Sequence, residues 1–215
     1  MKNILLLGDS IRMGYDSFVK EKLQGRANVF FPEDNGRFAQ YTLRELNNWQ
    51  SNLSLPEIHL VHWNNGLWDV LHLGTTAVGN DGEAEGITFS PKNVPGDMQY
   101  DKEPLTPPDI YRYMIGRVLT RIRQLFPGAD VVFATTTPAI EEQATCAYRS
   151  NAEIDQYNDI AREVLIPRGV RINELGKFAA ETCAALHKDW VHYTNEGSAL
   201  LADEIIGFLE KENLL

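Results

Sequence analysis

The 215-residue sequence is short of cysteine, of basic charge and of long apolar stretches, and each shortage excludes something. Its two cysteines, Cys146 and Cys183, are too few for a disulfide scaffold, and their spacing matches no metal motif. Lys and Arg number 20 against 30 Asp and Glu, a net charge of −10. Such a surface repels phosphate backbones and anionic lipid, so neither nucleic acid nor a membrane is expected as a partner. No run approaches the roughly 18 apolar residues of a membrane span. Ile4 to Leu7, the four apolar residues after Lys2, fall short of the about 7–15 of a signal-peptide core. With two unpaired thiols, this reads as a cytoplasmic protein. Two catalytic signatures are also missing. Gly8 and Gly14 do not make Gly-x-Gly-x-x-Gly, so dinucleotide binding is unsupported, and the Gly-x-Ser-x-Gly elbow is absent.

What remains is ordinary globular material, 43% hydrophobic and 23% charged. At about 150 residues per domain, the length predicts one domain with decoration. A chain of this size buries roughly 70% of its unfolded surface, enough to fold without staples.

Periodicity then organises the chain. Short apolar runs at Ile4–Leu7, Asn28–Phe31, Ile58–Trp63, Val131–Ala134 and Val170–Ile172 read as buried strands. Helical spacing recurs from about Met13 to Leu23, from Phe38 to Trp49, from Tyr111 to Phe126, from Asn151 to Leu165, and near 174–186 and 196–212. Pro107 and Pro108 stand before the third helix, and Pro127-Gly128 ends it. Strands alternating with helices predict a three-layer α/β/α fold around a mostly parallel sheet of about five strands. Ligand sites of such sheets lie at the carboxyl edge of the strands. Three segments break the pattern: a polar loop of about 35 residues at 74–108, a shorter loop at 135–150, and the stretch from His187 to Asn195. A loop of the first length in a compact domain is a lid or binding element.

Gly8-Asp9-Ser10 ends the first strand, where a serine hydroxyl and the N–H groups of the next helix share one edge. The plainer reading is that Asp9 or Ser10 caps that helix. Asp189-Trp190-Val191-His192 precedes the last helix. A serine needs a base of near-neutral pKa, and that histidine needs a carboxylate to fix its tautomer. Alone, the plainer reading is Asp189 as a loop acceptor and His192 as a neighbour of the helix start, with Thr194 or Asn195 capping. Gly36 follows the second strand, where its N–H can face the same edge or merely serve a turn. His62-Trp63-Asn64-Asn65-Gly66 closes the third, where a side-chain amide supplies a donor or an Asn-Gly turn.

Taken in order, these blocks resemble the SGNH (GDSL-type) hydrolases, over about residues 3 to 210. That family carries a serine in Gly-Asp-Ser, a glycine after strand two, an asparagine after strand three and a C-terminal Asp-x-x-His. The His-x-Thr-x-x-Gly continuation is matched by His192 to Gly197. The third block departs from the usual Gly-x-Asn-Asp, so Asn64 aligns with the family's asparagine and Asn65 stands second. The resemblance implies a flavodoxin-like α/β fold with neither metal nor cofactor. It implies a Ser10 nucleophile, His192 as base, Asp189 as its orienting carboxylate, and an oxyanion hole of the Ser10 and Gly36 N–H groups and the Asn64 amide.

Around this centre, His62, Trp63, Trp68 and His72 are candidate substrate contacts, although tryptophan at a strand end is more often packing. His59 reads as a core histidine and His187 as a surface one. Tyr148, Arg149 and Asn151 are placed to line the fourth loop, while Arg12 and Arg37 either offset local negative charge or are solvated. The 74–108 loop is polar with scattered Val78, Ile87, Phe89 and Met98, not the apolar groove a long acyl chain requires. The expected activity is therefore hydrolysis of short-chain esters, acetyl esters of carbohydrates foremost, neutral or cationic ones rather than polyanions. A catalytically silent carbohydrate-binding protein and an O-acyltransferase are the alternatives. The partner is a small-molecule or oligosaccharide ester.

Overall fold

The computed structural model describes residues 1–74, 100–144 and 147–215. Strand β1 (Lys2–Leu7) runs through the middle of the protein, with Ile4, Leu5, Leu6 and Leu7 all buried. An uninterrupted aliphatic run of this kind suits a strand covered on both faces, where each buried side chain contributes about 1.5–3 kcal/mol. Helix α1 (Ser10–Lys22) follows, then β2 (Ala27–Phe30), α2 (Ala39–Asn52) and β3 (Leu60–Trp63). Beyond these come α3 (Pro108–Leu125), β5 (Asp130–Ala134), α4 (Asn151–Leu165), β7 (Arg171–Asn173), α5 (Leu175–Thr182) and α6 (Asn195–Lys211). Two further strands, β4 (His72–Leu73) and β6 (Ala147–Tyr148), pair antiparallel outside the main sheet.

The main sheet has the order β2-β1-β3-β5-β7, and every pairing in it is parallel. From β1 the chain crosses first to one side, to β2, then returns past β1 to the other side, to β3. Helices α1, α5 and α6 pack together on one face and α2, α3 and α4 on the other, giving three layers. The reversal lies between β1 and β3, the place where open α/β sheets form a crevice.

All five predicted sheet strands are present, with ends shifted by a residue or two as such ends do. The helix starts differ more. Helix α1 begins at Ser10 rather than near Met13, because Asp9 caps it and accepts the Ile11 N–H at 2.9 Å. Helix α3 takes Pro108 into its first turn, where the missing N–H costs nothing. The helix expected near 174–186 ends at Thr182, and a separate 3-10 turn spans Ala184–Leu186. The β4–β6 pair has two residues per strand, too few to leave a periodic signal. Of the loop expected at 74–108, residues 75–99 lie outside the described residues, and with them Val78, Ile87, Phe89 and Met98; so does Cys146. Its return is ordered by bonds from the Asp101, Leu105 and Thr106 N–H groups to the Leu73, Leu71 and Asp69 carbonyls. Among the described residues, no helix is long and apolar enough to cross a membrane.

Two histidines exchange the places expected of them. His59 is exposed, its Nδ1 accepting the Asn3 N–H, because β3 starts one residue later. His62 is fully buried inside β3, its Nε2 3.4 Å from the Asn173 amide and its ring edge-on to Tyr15. Burial lowers its pKa from 6.5 to about 4. The unfolded chain therefore takes up a proton between those values that the folded protein refuses, so His62 costs stability as pH falls from 6.5 towards 4. Replacing it by glutamine removes that cost. In urea unfolding at pH 7 and pH 4, the advantage of wild type over His62→Gln should shrink by about 3 kcal/mol on acidification. A difference independent of pH would show that His62 titrates like a solvated histidine.

Candidate active site

Three loops meet at the carboxyl end of β1. Gly8, at φ +154°, turns the chain out of the sheet, and Asp9 caps α1 so that Ser10 becomes its first residue. The loop after β2 reaches in through the Gly36 N–H, which donates to the Gly8 carbonyl at 2.9 Å. The loop after β3 closes on the other side, where the Asn64 N–H extends the ladder to the Leu7 carbonyl at 3.1 Å. Gly8 has to be glycine for a second reason besides its dihedral. A Cβ there would overlap the Asn64 side-chain oxygen, and one on Gly36 would come within 2.6 Å of the Gly8 carbonyl.

From the far end of the chain, the 187–194 segment brings a fourth group to this edge. His187 bridges to Tyr193 as a short antiparallel pair, and the Lys188 N–H donates to the His192 carbonyl at 2.8 Å. Within the turn so formed, Asp189 Oδ1 accepts the Val191 and His192 N–H groups at 2.9 and 2.7 Å. Its other oxygen, Oδ2, lies 2.8 Å from His192 Nδ1, so a three-residue separation suffices. His192 Nε2 is 2.8 Å from Ser10 Oγ, across 182 residues of sequence. Buried Trp190 and Tyr193 anchor the segment, and the Trp190 carbonyl accepts the Ile140 N–H at 2.7 Å. His187 is half-buried and packed at a tilt against Tyr193, with ring centres 4.3 Å apart and planes 45° to one another, rather than a free surface residue.

The electrostatics follow from these contacts. Partial burial pushes the Asp189 pKa upward, but the His192 and Val191 N–H groups and the His192 ring outweigh it and hold the carboxyl below its ordinary value. A carboxylate is an acceptor only, so His192 Nδ1 carries the hydrogen in this pair and Nε2 presents a lone pair to the Ser10 hydroxyl. An imidazole held in this way can take a proton from a serine and stabilise the resulting charge. Asp9 differs from Asp189. It is fully buried, and burial raises its pKa against the Ile11 N–H, the Asn64 amide and the charges of Arg149 and His192. Among the described residues, no three His, Cys, Asp or Glu side chains gather as a metal-ligand group.

The other candidates divide sharply. Asn64 is buried beside Asp9, with Nδ2 3.5 Å from Asp9 Oδ1. Asn65 is spent on scaffolding: Nδ2 donates to the Arg37 carbonyl and Thr42 Oγ1, both at 3.0 Å, and Oδ1 accepts the Trp63 indole N–H at 2.7 Å. Both amide hydrogens of Asn65 are therefore directed at protein acceptors. Trp63 is wholly buried, edge-to-face on Phe133, and His62 is wholly buried too, so neither side chain is at the surface where a substrate contact was expected. His72 is also interior, its Nδ1 2.7 Å from the Asp101 carbonyl and its Nε2 3.0 Å from Glu153. Only Trp68 of that group is partly exposed.

Arg12 is a fully buried tether, pairing with Asp16 at 2.6 Å and holding the Pro32 and Asp34 carbonyls of the β2 loop. Arg37 is exposed over the Tyr41 ring in a left-handed backbone conformation, φ +47°. Arg149 is buried and donates to the Leu67 carbonyl, Tyr148 donates to Glu141, and Asn151 bonds to Ala139. These three tie the fourth loop together. Sequence reasoning missed Asp69. It is buried, accepts the Ala39 N–H at 3.0 Å, and so caps α2 from another loop. Burial raises its pKa to about 7. No local signal marks it, since the helix it caps begins thirty residues earlier.

No protein-family model and no curated protein matches this chain. Solved structures do. The chain is similar to a lipase/acylhydrolase from Enterococcus faecalis, at 17% identity over 99% of this chain and 97% of that one, with TM-score 0.67. It is similar to an acetyl xylan esterase (15% identity, 96% and 99% covered, TM-score 0.63) and to a GDSL-like lipase from Bacteroides thetaiotaomicron (16%, 98% and 89%, 0.62). The protein thus has the α/β fold of the GDSL-type lipases and acylhydrolases, as the resemblance in its motifs implied.

The crowding at Gly8 yields a direct test. Gly8→Ala combines a disfavoured backbone conformation with the overlap on Asn64, a loss of roughly 1–3 kcal/mol. Thermal unfolding should show a lowered Tm, whereas an unchanged Tm would mean that Asn64 does not occupy the space beside Gly8.

Proposed function

We propose that the protein is a serine esterase acting through Ser10, His192 and Asp189. The reading rests on one observation: hydrogen bonds of 2.8 Å on both sides of the His192 ring, to Ser10 Oγ and to Asp189 Oδ2. A binding protein has no need to arrange three such groups in series from opposite ends of its chain.

In the proposed reaction Ser10 Oγ attacks the ester carbonyl carbon as its proton passes to His192 Nε2. The carbonyl oxygen becomes an oxyanion beside the free N–H of Ser10, at the start of α1, and the Asn64 amide. Removing one such donor costs roughly 3–4 kcal/mol of transition-state stabilisation in comparable sites. His192 then returns the proton to the departing alkoxide, leaving Ser10 acylated. A water molecule, deprotonated by His192, attacks the acyl carbon, and Ser10 recovers its proton as the acid departs. Asp189 stays ionised and balances the imidazolium. The Gly36 N–H already serves the Gly8 carbonyl, so in this scheme it braces the turn and joins the oxyanion hole only by sharing its hydrogen.

For substrate, the reading is a short acyl group, acetyl on a carbohydrate. Supporting it are the polar composition of the 74–108 segment, the partly exposed Trp68, and the likeness to an acetyl xylan esterase. Wild-type protein should hydrolyse 4-nitrophenyl acetate, and Ser10→Ala should lose about a thousandfold in kcat/KM. An unchanged rate in Ser10→Ala would sink the mechanism. The acyl preference is a separate expectation: 4-nitrophenyl octanoate should turn over much more slowly than the acetate, and comparable rates would refute the short-chain reading.

A further inference from the structure

Asp9 is more than a helix cap requires. Capping α1 uses one oxygen, which accepts the Ile11 N–H, and serine would do this without burying a carboxyl group. Yet Asp9 is wholly inaccessible to solvent, and burying a carboxyl carries a large desolvation cost unless its contacts repay it. The charges of Arg149 and His192 offset part of that cost, and the one further side-chain hydrogen bond of the carboxyl is with Asn64, whose Nδ2 lies 3.5 Å from the same Oδ1.

The surroundings of Asn64 leave its amide little choice of orientation. The main chain is fixed by the bond to the Leu7 carbonyl. The amide oxygen occupies the space that a Cβ on Gly8 would fill and has no hydrogen-bond partner there. The amide nitrogen is thereby turned towards Asp9. An amide NH2 has two hydrogens, so one directed at Asp9 leaves the other to point away from it. Reversing the amide would set its oxygen against the Asp9 carboxyl and lose the contact.

We propose that Asp9 is a positioning residue: its carboxyl oxygen holds one hydrogen of the Asn64 amide, with Gly8 as the seat, and so aims the other at the oxyanion. This rests on the esterase reading above. The 3.5 Å separation is long for a hydrogen bond, and catalytic contacts of this sort shorten when charge develops on the substrate. An amide misdirected by about 1 Å loses much of its value to the transition state while leaving substrate binding almost untouched.

The test compares wild type, Asp9→Ala, Asp9→Asn, Asn64→Ala and the Asp9→Ala/Asn64→Ala double variant in 4-nitrophenyl acetate hydrolysis. Asp9→Ala should lose roughly tenfold to a hundredfold in kcat with KM changed less than about threefold. Asp9→Asn keeps an acceptor oxygen at both contacts and should recover most of the rate. In the Asn64→Ala background, Asp9→Ala should cost little more, because the group it positions is gone. Equal losses with and without Asn64, or no recovery in Asp9→Asn, would overturn the proposal. If Asp9→Ala does not fold, Asp9→Ser preserves the cap but cannot reach Asn64, and takes its place. A second measurement does not depend on activity. The side-chain amide resonances of Asn64 should shift in Asp9→Ala and return towards wild type in Asp9→Asn. Unchanged resonances would overturn the proposal even if Ser10→Ala upheld the esterase reading. A shift in a protein that proved inactive would uphold the orientation of Asn64 while the esterase reading fell.

Discussion

Everything at the carboxyl edge of the sheet depends on how closely main chain can approach main chain at Leu7 and Gly8. The loop after β2 bonds to the Gly8 carbonyl, the loop after β3 bonds to the Leu7 carbonyl, and the Asn64 side chain fills the place of a missing Cβ. Without a side chain at position 8 these segments pack within hydrogen-bond distance. With one, the Asn64 side chain would have to move, and the new Cβ would press on Arg12 Cβ. The buried aliphatic run of β1 supplies the rigidity that makes this meeting point precise enough for chemistry, since a fully covered strand has no slack to absorb displacement.

Buried polar groups around this point are arranged as braces. Arg12 ties α1 to the β2 loop, Asn65 ties the β3 loop to Arg37 and Thr42, and Asp69 caps α2 from a neighbouring loop. Each bond repays part of the cost of burying its polar partners, and each fixes one loop relative to another. Arg37 shows the tension in this design. Its left-handed backbone is held by Asn35 accepting its N–H and by its own carbonyl accepting from Asn65. The loops around the proposed catalytic groups are thus cross-braced to one another and to the helices.

The layers, the parallel sheet and the serine, histidine and aspartate were legible in the sequence because each depends on local chemistry. Apolar runs make strands, apolar periodicity makes helices, and Asp-x-x-His closes on itself within one turn through Oδ1 of Asp189. The errors share a cause. His62, Trp63 and His72 sit next to the site in sequence, but β3 is covered on both faces, so neighbouring His62 and Trp63 are both buried, and the β4–β6 pairing takes His72 inside. His59, one position outside the β3 ladder, faces solvent. Whether a polar side chain near a strand end faces a substrate or the core depends on a single residue of register, which composition does not encode.

The sequence by itself determined the kinds of group available and their order along the chain: a serine after the first strand, an amide after the third, and a histidine with its carboxylate before the last helix. Only the tertiary structure separated the two amides, because the hydrogens of Asn65 are consumed by a carbonyl and a hydroxyl from the preceding loop and helix. It also gave Asp9 a burial far deeper than a cap needs, and committed the Gly36 N–H to a neighbouring carbonyl. The physical reason is the same in each case. A hydrogen-bonding group can be assigned a role only when all of its competing partners are known, and those partners come from parts of the chain that meet only after folding.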